Sequence, residues 1–184
     1  PKTGVFGLYD LIGIDLMADV LKSFIKELPK NDPFQIVAKE IPLITKLINT
    51  GYTGRKGKGG FYRMNKLNNQ KILEAINLVS GEYSPTKKID LGIETVNLNI
   101  LINRKDKYGE YAWSVISKII KYASSLVPGI TDKFNDIDEA MRLGFNWAMG
   151  PFEMLKAIGV KNFFNRIDTF ENNKFLGNLS KTKD

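Results

Sequence analysis

One short pattern occurs twice in this chain. Gly4 to Asp15 reads GVFGLYDLIGID, and Gly150 to Lys161 reads GPFEMLKAIGVK. Aligned without a gap at an offset of 146 residues, Gly4 matches Gly150, Phe6 matches Phe152, Ile12 matches Ile158 and Gly13 matches Gly159. Leu8 with Met154, Tyr9 with Leu155 and Ile14 with Val160 are chemically similar pairs. Each copy opens on glycine and spaces its apolar residues along one helical face: Val5, Leu8, Tyr9 and Ile12 in the first, Phe152, Leu155 and Ile158 in the second. Each closes on a glycine suited to a left-handed helix end. Each is therefore expected to form a two-turn amphipathic helix with a fixed stop, one packing element used twice. Its structural residues are Gly4, Phe6, Gly13 and Asp15 in one copy and Gly150, Pro151, Phe152 and Gly159 in the other.

Such helices need a core, and 184 residues can bury roughly 70% of their unfolded surface, enough for one good core or two small ones. Hydrophobic residues at 43% against 26% charged argue for a globular chain. There is no apolar run of about 18 residues, and PKTGVFGL lacks the build of a secretory signal. With no cysteine there is no disulfide framework, and the expected address is cytoplasmic. The absence of histidine matters more. Without His or Cys the chain has no imidazole base, no Ser-His or Cys-His nucleophile pair and no conventional zinc site. No catalytic residue and no metal ligand is assigned. A net charge of +7 would attract phosphates on nucleic acid, on a nucleotide-bearing cofactor or on a membrane surface.

In chain order, Asp15 is a candidate N-cap for a second helix with the stripe Met17, Val20, Leu21, Phe24, Ile25, Leu28, closed by Pro29. Asp32 and Pro33 open a short helix over Phe34 to Lys39, and Pro42 starts another that Gly51 stops. Ile72, Leu73, Ile76 and Leu78 or Val79 suggest a modest helix over Asn68 to Val79. Residues 81–107 read as a connector, in which Glu94 to Ile102 fits a short helix or a strand. Tyr108 to Val127 is the longest periodic segment. Asp136 is a candidate cap for the helix that follows, and Phe163, Phe164, Ile167 and Phe170 continue as a helix after the second motif. These aromatics suit core or subunit contact better than a cofactor box. The polar end, LSKTKD, is expected to fray.

The runs PKTGVFGLYDLIGIDLMADV, GYTGRKGKGGFY and DIDEAMRLGFNWAMGPFEMLKAIGV resemble the C-terminal helical domains of the 3-hydroxyacyl-CoA dehydrogenases, in the long bacterial form where that domain occurs in tandem. The resemblance implies an all-α fold of two helical units of the 6-phosphogluconate-dehydrogenase C-terminal-like kind. At the 146-residue offset, the counterparts of the helices ahead of the second motif would precede Pro1, and the second unit ends before a counterpart of GRKGKGGFY. The expectation is thus a first unit (1–80) lacking its N-terminal helix, a connector (81–107) and a second unit (108–184) lacking its C-terminal part, within a longer protein.

For the parent, the resemblance implies NAD-dependent oxidation of a 3-hydroxyacyl-CoA in fatty acid β-oxidation. The family's His base with its Glu, and its glycine-rich Rossmann domain for NAD, have no counterpart in this chain, so no catalytic or cofactor-binding residue is carried over. The helical part would close the acyl-CoA cleft and supply domain or subunit packing, which leaves a homodimer open, and alone it is expected to be inactive. A stand-alone binding module is one alternative. A basic nucleic-acid surface is another, disfavoured because Phe61 and Tyr62 are the only aromatics in the basic stretch and no nucleic-acid motif is present.

That stretch, Thr53 to Tyr62, holds Gly54, Gly57, Gly59 and Gly60 with Arg55, Lys56 and Lys58. It fails the spelled phosphate motifs, since Tyr62 stands where the third glycine would fall and no Gly-Lys-Ser/Thr occurs. Two readings stand. It is a turn that lays Phe61 and Tyr62 on the core with its cations in solvent, or Arg55, Lys56 and Lys58 meet the phosphates of an acyl-CoA.

Overall fold

The computed structural model describes residues 4–67, 69–87 and 97–167. The chain forms two compact units, residues 2–89 and 90–184.

The first unit opens with α1 (Val5–Ile12) and α2 (Ile14–Glu27), separated by Gly13 alone. The second copy is built the same way: α8 (Pro151–Ile158) and α9 (Val160–Phe164) meet at Gly159. In both junctions the glycine ends one helix and starts the next. Gly13 N–H donates to Tyr9 O while its own carbonyl accepts from Met17, and Gly159 does the same with Leu155 and Phe163. Both have positive φ, 116° and 88°, but ψ of 124° and 121° rather than the roughly 45° of a left-handed helical residue. The extended ψ lets the next helix begin at once, where a Schellman ending would carry the chain away. Asp15 is not the N-cap of α2. Gly13 is, and Asp15 lies in the first turn, its carboxylate paired with Lys56 at 2.9 Å.

The first unit continues with α3 (Phe34–Val37), where Asp32 accepts from the Phe34 amide at 2.7 Å, and α4 (Pro42–Asn49), which starts on its proline. A three-stranded antiparallel sheet follows: β1 (Tyr62–Leu67), β2 (Gln70–Ile76) and β3 (Tyr83–Pro85). The all-α expectation is corrected here, and with it the helix over Asn68 to Val79. Leu67 pairs with Gln70, so two residues join β1 to β2, and Asn69 takes the positive φ (63°) that such a tight hairpin demands. On β2 the inward positions are Ile72, Glu74 and Ile76, a period of two hidden by the charge in its middle. Glu74 is tolerated there because Arg63, its cross-strand partner, binds it at 2.7 Å and Asn65 donates at 3.1 Å. The unit's core is Ile14, Leu47, Phe61 and Ile76, with Tyr9, Leu43, Ile44, Ile48, Tyr52 and Tyr83 around it.

Among its described residues the second unit's named elements are all helices. It contains α5 (Leu98–Asn103), α6 (Lys107–Ser125), α7 (Phe134–Phe145), α8 and α9. For Glu94 to Ile102 the helix is the form taken from Leu98 on, capped by Asn97, and residues 94–96 lie outside the described set. Asp136 is not the cap of α7. The helix starts at Phe134, and Asp136 in its first turn accepts from the Thr131 hydroxyl at 2.8 Å. Of the aromatic run, Phe163 lies in α9, while Phe170 and LSKTKD fall outside the described residues. The core gathers Ile102, Ile120, Ala123, Val127, Phe152, Leu155, Ile158, Phe163 and Ile167, and α8 packs on α5, α6 and α7.

Ala at Gly13 or Gly159 would have to hold a backbone region that side-chain-bearing residues rarely enter. Gly13→Ala and Gly159→Ala are each expected to lower stability by about 1–3 kcal/mol, read as a shift in urea midpoint. At the start of α6, Asp106 accepts from the Tyr108 and Gly109 amides and pairs with Arg104, which holds its carboxyl down at about 2. A depressed carboxyl stabilises the fold above the ordinary carboxylate range and loses that contribution as pH falls through its folded value. Unfolding between about pH 4 and pH 2 should therefore be shallower in Asp106→Asn than in the parent chain.

Candidate functional site

The first unit carries a cleft of about 930 Å³ between α1, the glycine-rich loop and the sheet. Gly4, Gly7 and Asp10 line it from α1, Arg55 and Lys58 from the loop, Tyr62, Arg63 and Met64 from β1, and Lys87 from beyond β3.

One carboxylate builds it. Asp10 is buried, and its two oxygens accept from the amides of Phe61 and Tyr62, each at 2.8 Å. Its backbone carbonyl accepts from the Arg55 amide at 2.7 Å. The loop is thus pinned to α1 at both ends, and the pinning explains two of its glycines. A Cβ on Gly60 would strike the Asp10 carboxylate, and one on Gly54 would strike the Asp10 carbonyl. Gly54 and Gly59 also exchange a backbone hydrogen bond at 2.8 Å across the turn. Phe61 is laid on the core between Phe6 (4.7 Å between centroids) and Tyr9 (6.0 Å). The Tyr83 hydroxyl donates to Gly60 O, its ring lies 4.0 Å beneath the Arg63 guanidinium, and burial pushes its pKa up to about 12.

The three loop cations do not act as a set. Lys56 turns away to Asp15, whose carboxyl it holds below the usual value. Lys58 donates to Thr50 O at 3.1 Å, at the negative end of α4, and also lines the cleft. Arg55 lines the cleft with it. Arg63 is committed to Glu74, which its hydrogen bond holds below the ordinary carboxylate value. The cleft's net character is cationic, with Asp10 already engaged by amides, so the arrangement suits holding an anion rather than moving a proton. Among the described residues, no three His, Cys, Asp or Glu side chains gather as a metal site.

Asp10 escaped the sequence reading. The available signal was a lone acid on an otherwise apolar helix, VFGLYDLI, followed some fifty residues later by a loop dense in glycine. The second copy has Lys156 at the equivalent position, so α8 cannot hold a loop in this way.

The model of the 3-hydroxyacyl-CoA dehydrogenase C-terminal domain matches residues 1–64 and 112–175, well over half of the chain. The chain belongs to that family. Across 91% of its length it is 42% identical to the "putative fatty acid oxidation complex trifunctional enzyme" of Rickettsia prowazekii (strain Madrid E), covering 23% of that protein. The like-named protein of Rickettsia felis is 41% identical over the same shares. The "probable 3-hydroxyacyl-CoA dehydrogenase" of Bacillus subtilis (strain 168) is 29% identical over 91% of this chain and 22% of its own. The chain spans about a quarter of the length of these curated relatives. No solved structure matches it. None of the described helices is long and apolar enough to cross a membrane.

If Asp10 organises the loop, Asp10→Ala strands two amides and should cost about 2–4 kcal/mol in urea unfolding. Lys56→Gln, which removes an exposed pair, should cost at most about 1 kcal/mol.

Proposed function

We propose that this chain serves as the C-terminal helical region of an NAD-dependent 3-hydroxyacyl-CoA dehydrogenase, closing the acyl-CoA cleft against a separate domain that holds NAD. The observation that carries the reading is the family match over two separate segments, supported by relatives about four times as long. The chemistry agrees. Oxidising a 3-hydroxyl to a ketone removes a hydride to the nicotinamide and a proton to a base with a pKa near the working pH. The chain has no histidine, and its buried Asp10 and Glu74 are held by amides and by Arg63. The base and the nicotinamide site belong to the rest of the enzyme, and this region contributes enclosure and positioning.

Within that reading, Arg55 and Lys58 would meet the phosphates of CoA, a role supported by their place on the cleft wall, while Lys56 pairs with Asp15. In the full enzyme, Arg55→Gln/Lys58→Gln should raise KM for an acyl-CoA several-fold, steeply dependent on salt because exposed charges are screened over about 8 Å at physiological ionic strength. KM for the matching acyl-pantetheine, which lacks the nucleotide phosphates, should not move, and Lys56→Gln should change neither. KM values unaltered by the double substitution return the loop to a purely structural turn. The 184-residue chain by itself should form no NADH from hydroxyacyl-CoA and NAD above a no-protein blank.

A further inference from the structure

Across the three-stranded sheet the usual division of faces is partly reversed. An antiparallel sheet packed on one side ordinarily keeps apolar residues inward and polar residues in water. Here Arg63 and Asn65 both bond Glu74 on the inward face. The outward face carries Tyr62 opposite Ala75 and Met64 opposite Leu73. Met64 is 60% exposed, Leu73 44% and Tyr62 37%. All four line the cleft, so the outward face of the sheet is its apolar wall.

Cations share the cleft with that wall. Arg55 and Lys58 line it from the loop, and Lys87 lines it from beyond β3. Asp10 is the one acid among the described residues of the lining, and its oxygens already accept from two amides. Such a cleft is complementary to a ligand with an apolar body and several negative charges. The size of the wall narrows the choice of body. Two residues along a strand and one strand spacing across amount to about 7 Å by about 5 Å, which suits a bicyclic base and is short for a long acyl chain. At about 930 Å³ the cleft also has room for a sugar and its phosphates.

Tyr62 is the fixed part of the wall. Its amide donates to Asp10 at 2.8 Å and its carbonyl accepts from the Gly60 amide at 2.9 Å, so the contact that folds the loop also sets the ring. The ring has no hydrogen-bond or aromatic partner among the described residues. A base can stack on a ring held in this way with little further ordering.

We infer that the outward face of the sheet is a subsite for the purine base of a multiply phosphorylated nucleotide, with Tyr62 as the stacking platform and Lys87 joining Arg55 and Lys58 at the phosphates. The source of the nucleotide rests on the acyl-CoA reading above, which makes it the adenosine end of CoA.

Calorimetric titration of the 184-residue chain with adenosine 3′,5′-bisphosphate, and with pyrophosphate as the base-free control, tests the subsite. The bisphosphate should bind about tenfold tighter than pyrophosphate, Tyr62→Ala should remove that margin, and Tyr62→Phe should keep it, because stacking needs the ring and not the hydroxyl. Should Tyr62→Ala fail to fold, the unsubstituted chain decides: the purine H2 and H8 protons of the bound bisphosphate should show nuclear Overhauser contacts to the Tyr62 ring. Their absence overturns the subsite, as does a bisphosphate that does not bind. A margin untouched by Tyr62→Ala, with both ligands weakened by Arg55→Gln/Lys58→Gln, overturns the base platform and leaves the phosphate reading standing. The reverse result, both ligands indifferent to the double substitution while Tyr62→Ala removes the margin, upholds the platform and removes the phosphate reading. An oligoadenylate strand that binds tighter than the bisphosphate overturns the inference in favour of nucleic acid.

Discussion

Asp10 is the point from which the first unit is built. A carboxylate buried in the middle of an apolar helix is costly unless its oxygens are hydrogen-bonded. Here the donors are backbone amides of a loop more than forty residues away, so satisfying the charge and folding the loop are one event. The consequences run outward. The loop ends where Phe61 enters the core between Phe6 and Tyr9, and β1 starts at the next residue, which sets Arg63 opposite Glu74. Replacing glycine at positions 54 or 60 would disturb the same contact. The cleft and its cations are by-products of this clamp, and the clamp gives the glycine-rich loop a structural reason to exist whatever the cleft binds.

The repeated helix shows how one sequence element can be fastened in two ways. In the second unit the carboxylate comes from a neighbour, Asp138, and caps the repeated helix at its start. Desolvation raises the Asp138 carboxyl above its ordinary value although two amides and Arg142 work against this, so its charge is held at a cost. In the first unit the carboxylate belongs to the repeated helix and reaches out to a loop. Asp10 and Lys156 occupy equivalent positions, and only the first copy has a carboxylate there to accept from the Phe61 and Tyr62 amides.

Elements announced by local chemistry were legible. Proline at the start of α4, Asp32 ahead of α3 and the glycines at 13 and 159 act through neighbours a few residues away, and the helices lie where those residues put them. The sheet was not legible. Its inward face carries Glu74 between two isoleucines, so the alternation that marks a strand is broken by a charge whose partner, Arg63, is on another strand. Ile72, Leu73 and Ile76 then fit helical spacing equally well. The better clue was Asn68–Asn69, a pair suited to the two-residue turn between flanking strands. Asp15 lies two residues past its helix's cap and Asp136 three, and neither offset was legible because an acid in the first turn and an acid at the cap favour the same helix end.

By itself the sequence determined the repeated helix–glycine–helix junction, the absence of imidazole and thiol chemistry, and the family to which the chain belongs. All three depend on residue identity or short-range spacing. Only the tertiary structure decided that Asp10 governs the loop, that Lys56 belongs to Asp15 while Arg55 and Lys58 face the cleft, and that Phe152 and Ile158 are buried where the matching Phe6 and Ile12 are partly exposed. Each of these is a pairing across tens of residues. A charge or an apolar side chain in a sequence states a need, and which distant group meets it is settled only when the chain has folded.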